Sequence, residues 1–178
     1  NSIQKMQMQE KTLVIFDVDD TLLNSMKLDS NAFSQTYEEM YGEPLKTIDW
    51  AQYEHVTDTT IFNTAFSLTH NRLPSDNEVE LFRSRFVDMI MTNRKEQPSS
   101  FSQISGSLDM VNFLLEQDDY LVGIATGGWM APARSKLHFM GFELDKIHDS
   151  YADGKVSREE ILIESLTKAR EVYPNLRP

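Results

Sequence analysis

The first clear pattern in the chain is residues 13–16, Leu-Val-Ile-Phe, a short unbroken apolar run that stops on Asp17. Such a run reads as a strand buried on both faces of a parallel sheet. A second run at residues 120–125, Tyr-Leu-Val-Gly-Ile-Ala, stops on Thr126 in the same way. Each is tied to a helical period. Leu108, Val111 and Leu115 precede the second run, and a helix that opens with Pro132 and closes at Gly141 follows it. A weaker strand pattern surrounds Ile147. Further on, Ser157 and Glu160 make a capping box, in which each side chain takes a free amide at the start of a helix. Ile161, Leu162, Leu166, Ala169 and Val172 supply the apolar face behind it. This alternation predicts an α/β fold, a Rossmann-like parallel sheet flanked by helices.

The segment between the two strong strands has a different character, with helix signals and little that reads as strand. Phe33, Tyr37 and Met40 keep helical spacing and stop at Gly42 and Pro44. A helix starting near Asp58 carries Ile61, Ala65 and Leu68, and a second capping box, Ser75 with Glu78, opens a long helix through Val79, Phe82, Phe86 and Ile90. These elements form a second unit. The first ten residues, with Gln4, Gln7 and Gln9, show no usable period and read as a mobile lead-in. A start on Asn1 suggests a processed or cloned end. There is no internal repeat and no sustained heptad, so a coiled-coil partner is unsupported.

Composition narrows the function. At 178 residues and 40% hydrophobic content the chain has enough apolar material for a real core, in one large domain or two small ones. Its formal charge of −11 gives a long-range field that repels phosphate backbones and anionic lipid, so nucleic acid and membrane surfaces are not expected partners. There is no cysteine, which removes disulfides, thiolate metal sites and cysteine nucleophiles together. Catalysis must come from oxygen and nitrogen groups. No apolar run approaches the ~18 residues that span a bilayer, and no signal pattern opens the chain, so a soluble, cytoplasmic protein is expected. The oligomeric state is not readable.

The candidate chemistry sits where the strands end. Ligand sites in open parallel sheets form outside the carboxyl ends of strands, which is where Asp17 and Asp19 stand. Two carboxylates two residues apart can converge on one hard cation, and magnesium suits them best. A cation there would let Asp17 approach a phosphate as nucleophile while Asp19 alternates as acid and base. Thr126, followed by Gly127 and Gly128, ends the second strand with a hydroxyl and backbone amides that can face the same anion. Asp20 and Thr21 shape the turn.

Phe16-Asp-Val-Asp-Asp-Thr-Leu-Leu resembles the first signature motif of the haloacid dehalogenase-like phosphohydrolase superfamily, Asp-x-Asp-x-Thr after an apolar strand. The resemblance implies that Asp17 forms an aspartyl-phosphate and that Asp19 protonates the leaving oxygen and then activates water. Asp19 also indicates phosphoryl transfer, since dehalogenases resemble Asp-x-Tyr and phosphonatases Asp-x-Ala at this place. Thr126 fits the second family motif. Lys155, which stands after Gly154 and just before the Ser157 cap, is the choice for the third, a cation that neutralises the phosphate and holds the nucleophile. Arg134, Lys136 and Lys146 are its competitors.

The resemblance further implies a helical cap at residues 24–103, inserted into a core formed by residues 1–23 and 104–178, with hinges at residues 24–28 and 99–106. Within the cap His55, Thr57 and Asp58 are candidate substrate contacts, and Trp50 reads as cap core. A fourth family motif, one or two aspartates that complete the magnesium shell, has no match before Pro178. Asp145, Asp149 and Asp153 read instead as loop solvation. The core is expected to lack its last strand or strands, with truncation preferred over a reduced member of the family. The expected function is a magnesium-dependent phosphatase acting on a small phosphorylated metabolite. A non-catalytic phosphate-ligand binding domain and a sugar-phosphate mutase are the alternatives.

Overall fold

A computed structural model of the chain describes residues 10–47 and 49–176. The lead-in and the Trp50 side chain lie outside what is described. Three parallel strands form the sheet in the order β1 (Thr12–Phe16), β4 (Tyr120–Ala125), β5 (Ile147–Ser150). Thr12 is aligned with Tyr120 and Phe16 with Ile124, while Val122 is aligned with Ile147 and Ala125 with Ser150. Parallel neighbours need crossovers, and α5 (Met130–Phe139) provides the one between β4 and β5. The weak pattern around Ile147 is thus a strand. The expectation of a first strand buried on both faces is corrected: Leu13 through Phe16 are only partly buried, whereas Val122 and Ile124 of β4 are fully buried. Among the described strands β1 pairs with β4 alone, so one of its edges is open.

The apolar residues of α6 (Arg158–Val172) also face differently from the expectation. Ile161, Ser165 and Ala169 are buried, while Leu162 and Val172 point outward. The reason is close helix–sheet contact: a Cβ on Gly123 of β4 would stand 2.6 Å from the Ser165 hydroxyl oxygen, so the small residues face the sheet. Helix α4 (Ser107–Glu116) packs against β4 as well.

Helices α1 (Met26–Tyr41), α2 (Asp58–His70) and α3 (Asp76–Glu96) form the inserted layer. Thr57 and Ser75 cap α2 and α3 with complete capping boxes, and Gly42 ends α1 at φ 70°, where a residue without Cβ is favoured. Leu68 of α2 is exposed, and Phe62 and Phe66 take the inner face instead. Phe33, Phe62, Phe82 and Phe86 form an aromatic cluster, with Phe62 and Phe82 stacked at 4.4 Å between centroids. The chain enters and leaves this layer through a two-residue antiparallel ribbon, β2 (Leu23–Asn24) against β3 (Ser102–Gln103). No helix among the described residues is long and apolar enough to cross a membrane.

Candidate active site

The turn after β1 is wound around one carbonyl. The Val18 oxygen accepts from the amides of Thr21, Leu22 and Leu23 at 3.2, 2.9 and 3.0 Å. Val18, Leu22 and Leu23 are buried anchors, and Asp20 takes the left-handed conformation at φ 57°. This winding leaves Asp17 and Asp19 in the wall of a cavity of about 430 Å³. Asp17 is partly exposed, and its Oδ1 accepts the Val18 amide at 2.8 Å. Thr126, Gly127 and Gly128 at the end of β4 line the same cavity. The Thr126 oxygen accepts from the Gly128 amide at 3.2 Å, which leaves the hydroxyl proton to donate, and the Gly127 amide has no acceptor among the described residues. Thr57 and Asp58 reach the cavity from the start of α2, while His55 does not line it.

The cations differ from expectation. Lys155 is not brought to the cavity: it pairs with Glu164 of α6 and donates to the Tyr151 and Asp153 carbonyls. Arg158, the first residue of α6, instead places Nη1 at 3.6 Å from Asp17 Oδ2. A cation at a helix N-terminus opposes the macrodipole, and that misplaced charge was the sequence signal for an anionic partner. Lys136 is buried and donates to Asp19 Oδ1 at 2.5 Å and to Asp29 of α1. Its signal was periodicity, because Ala133, Lys136 and Leu137 share the buried face of α5. Arg134 pairs with Asp149, which is buried in β5, so the reading of Asp149 as loop solvation is corrected. Asp153 accepts the Met130 amide at 2.7 Å, whereas Asp145 and Lys146 are exposed.

One ammonium between two carboxylates sets the protonation pattern. Burial works to raise Asp19, but the Lys136 charge and hydrogen bonds from Lys136 and Ser25 outweigh it and hold Asp19 below the usual carboxylate range. Asp29 goes the other way. Burial, opposed by Lys136 and aided by the Asp19 charge, pushes it well above that range. The Asp29 Oδ1 atom is buried without a hydrogen-bond partner among the described residues. Burial also raises Asp58 to about 6, against the opposing hydrogen bond from the Trp129 amide and with help from the Asp19 charge. Lys136 is held charged, since its two carboxylates outweigh the effect of burial.

The donor set bears on a metal. Among the described residues there is no group of three or more histidine or acidic side chains placed to hold an ion. The Asp19 carboxylate is committed to Lys136 and Ser25, so what Asp19 can give a cation is its carbonyl oxygen. Magnesium is bound through one or two carboxylates plus substrate phosphate and retained water. The Asp17 carboxylate and the Asp19 carbonyl fit that minimal set.

Reciprocal bonds tie the inserted layer to this loop. The Asp58 amide donates to the Gly127 carbonyl at 2.8 Å, and Asp58 Oδ2 accepts the Trp129 amide at 2.9 Å. Trp129 Nε1 donates to the Thr59 hydroxyl at 2.9 Å, which donates to the Ala152 carbonyl at 2.6 Å. The Trp129 ring is fully buried against Phe33, Phe62, Phe82 and Phe86.

No sequence among the curated proteins matches the chain. Solved structures do. CbbY from Rhodobacter sphaeroides in complex with phosphate aligns at TM-score 0.65 and 13% identity over 89% of this chain and 72% of its own. A Bacteroides vulgatus protein assigned as a β-phosphoglucomutase aligns at 0.64 and 13% over 97% and 66%. YfnB from Bacillus subtilis, a HAD-hydrolase bound to magnesium, aligns at 0.52 and 19% over 94% and 76%. At these identities the likeness is one of fold. The family model for haloacid dehalogenase-like hydrolases matches residues 14–164, from within β1 to within α6, and on that match the chain belongs to the haloacid dehalogenase-like hydrolase family.

Proposed function

We propose that the chain is a phosphatase that cleaves small phosphate monoesters through an aspartyl-phosphate at Asp17. The observation that carries this reading is that Asp17, at the end of β1, and Thr126, at the end of β4, line one cavity together with Asp19 and Arg158. An Asp17 oxygen attacks phosphorus while the bond from phosphorus to the ester oxygen breaks. Thr126 and the Gly127 amide hold non-bridging oxygens, and the Arg158 guanidinium offsets their charge. A phosphoryl dianion arriving beside Asp19 raises that group's proton affinity, so Asp19 carries a proton when the leaving oxygen needs one. It then takes a proton from the water that attacks phosphorus and frees Asp17. Lys136 and Ser25 position Asp19 for both steps. Magnesium, held by the Asp17 carboxylate and the Asp19 carbonyl, would supply charge neutralisation at the phosphoryl oxygens.

The test is hydrolysis of p-nitrophenyl phosphate with and without magnesium. Magnesium-dependent turnover that is lost in Asp17→Asn is the expected result. Turnover retained by Asp17→Asn rejects the aspartyl-phosphate. Saturable phosphate-analogue binding without any turnover would place the chain with phosphate-ligand binding domains instead.

A further inference from the structure

The lining of the cavity is chemically uneven. Asp17, Thr126, Gly127 and Arg158 supply the polar groups where the phosphoryl group would sit, and Met26, Phe33, Leu45, Val56, Ile61 and Phe86 supply apolar surface. Ser30 and Ser34, one turn apart on α1, add hydroxyls to the lining, and neither hydroxyl makes a hydrogen bond to a described residue. Among the described lining residues Arg158 is the single cation, and it stands beside Asp17. Two cations of the inserted layer are turned elsewhere. Lys46 donates to the Leu68 carbonyl, and Arg83 is held by Glu80 and Asp153 over the Trp129 ring. Lys136 is spent between Asp19 and Asp29.

A second phosphate or a carboxylate on the leaving group would therefore meet phenyl and aliphatic side chains with no cation but Arg158 among the described lining residues. It would also approach Asp29 and Asp58, which line the same cavity. An anion beside carboxyl groups and without a counter-charge is disfavoured. Resting on the phosphatase reading, we propose that the substrate is a phosphate monoester of a small alcohol that carries no second anionic group, its carbon skeleton lying against the Phe33 and Phe86 wall and its free hydroxyls meeting Ser30 and Ser34. The volume, near the lower end of the ~300–1,000 Å³ typical of ligand pockets, suits a compact ester. A transferase that must hold a bisphosphate lacks its second anion site here.

The test compares kcat/KM for n-butyl phosphate, phosphoglycolate and glucose 1,6-bisphosphate, with magnesium present. The expected result is a preference of at least about tenfold for n-butyl phosphate over both anionic esters. Equal or faster turnover of either anionic ester overturns the proposal. Acetyl phosphate, whose acyl group makes few demands on the apolar wall, tests the phosphatase reading separately. If it is not hydrolysed, that reading fails and the cavity preference is read from binding, as protection against thermal unfolding by butylphosphonate and by phosphonoacetate. Phosphonoacetate should then bind at least about tenfold more weakly, and equal affinity rejects the inference. Ser34→Arg, which adds a second cation to the cavity lining, should shift the n-butyl phosphate to phosphoglycolate ratio about tenfold toward phosphoglycolate. Ser34→Gln, of similar length without the charge, should not.

Discussion

Replacing Lys136 by methionine removes a buried ammonium while keeping most of its volume. In the native protein that ammonium faces two carboxyl groups, Asp19 held below the usual carboxylate range and Asp29 pushed well above it. Without it Asp19 must either stay charged in a buried site or take up a proton. A carboxylate left unpaired in this way costs about 3–5 kcal/mol. The protonation route carries the same cost in another form, since without Lys136 burial alone acts on Asp19 and raises its pKa. The sign follows. With its folded pKa raised, Asp19 binds more protons folded than unfolded, so Lys136→Met loses stability as pH rises from about 4 through the raised value. Urea melts should place the variant about 3–5 kcal/mol below the native protein at pH 8, with a smaller loss near pH 5. Removing the stranded carboxylate as well, in Asp19→Asn/Lys136→Met, should recover most of the loss. A loss under about 1 kcal/mol at pH 8, or equal losses at both pH values, would refute the account of Lys136 as the counter-charge of Asp19.

Asp58 should titrate near 6, and its sign is the same: the folded state binds the extra proton between the unfolded value of ~3.9 and about 6, so its stabilising contribution is present at low pH and lost as pH rises through 6. Relative to Asp58→Asn, native stability should fall by up to about 3 kcal/mol between pH 4 and 7, and a carboxyl NMR midpoint below 4.5 would contradict the assignment. Arg158→Gln should raise KM for a phosphate ester and flatten its dependence on salt, and unchanged steady-state kinetics would remove Arg158 from the site. Trp129→Ala should cost about 3–5 kcal/mol by urea melts, while Trp129→Phe, which keeps the ring contacts and loses the bond to Thr59, should cost nearer 1 kcal/mol.

What could be read from the sequence was what local pattern determines. The runs ending on Asp17 and Thr126 placed two functional ends on neighbouring strands, and the capping boxes at Ser75 and Ser157 marked helix starts that the structure has. What could not be read depends on contacts between distant segments. Lys155 sits one step before a helix cap, yet Glu164, on α6, captures it. Lys136 reaches Asp19 across 117 residues of chain. Asp29 carried no motif at all, and its role arises only because α1 lays its first turn over the end of β1. The faces of α2 and α6 were misassigned at Leu68, Leu162 and Val172 because hydrophobic spacing does not reveal where a close approach, such as Ser165 beneath Gly123, demands small residues instead.

The place of Trp129 sets a condition on turnover. It belongs to the loop after β4, two residues past the proposed phosphate-binding amide, yet its ring completes the aromatic interior of the helical layer. A rigid swing of that layer away from the sheet would draw the ring into water and break the bonds from Asp58 to residues 127 and 129 together. The layer is therefore latched by the same loop that would grip the phosphoryl group. On the phosphatase reading, loosening the latch for product to depart would also unmake the grip, so the departure of phosphate and the movement of the helical layer would be one event, whose speed would set a ceiling on the cycle.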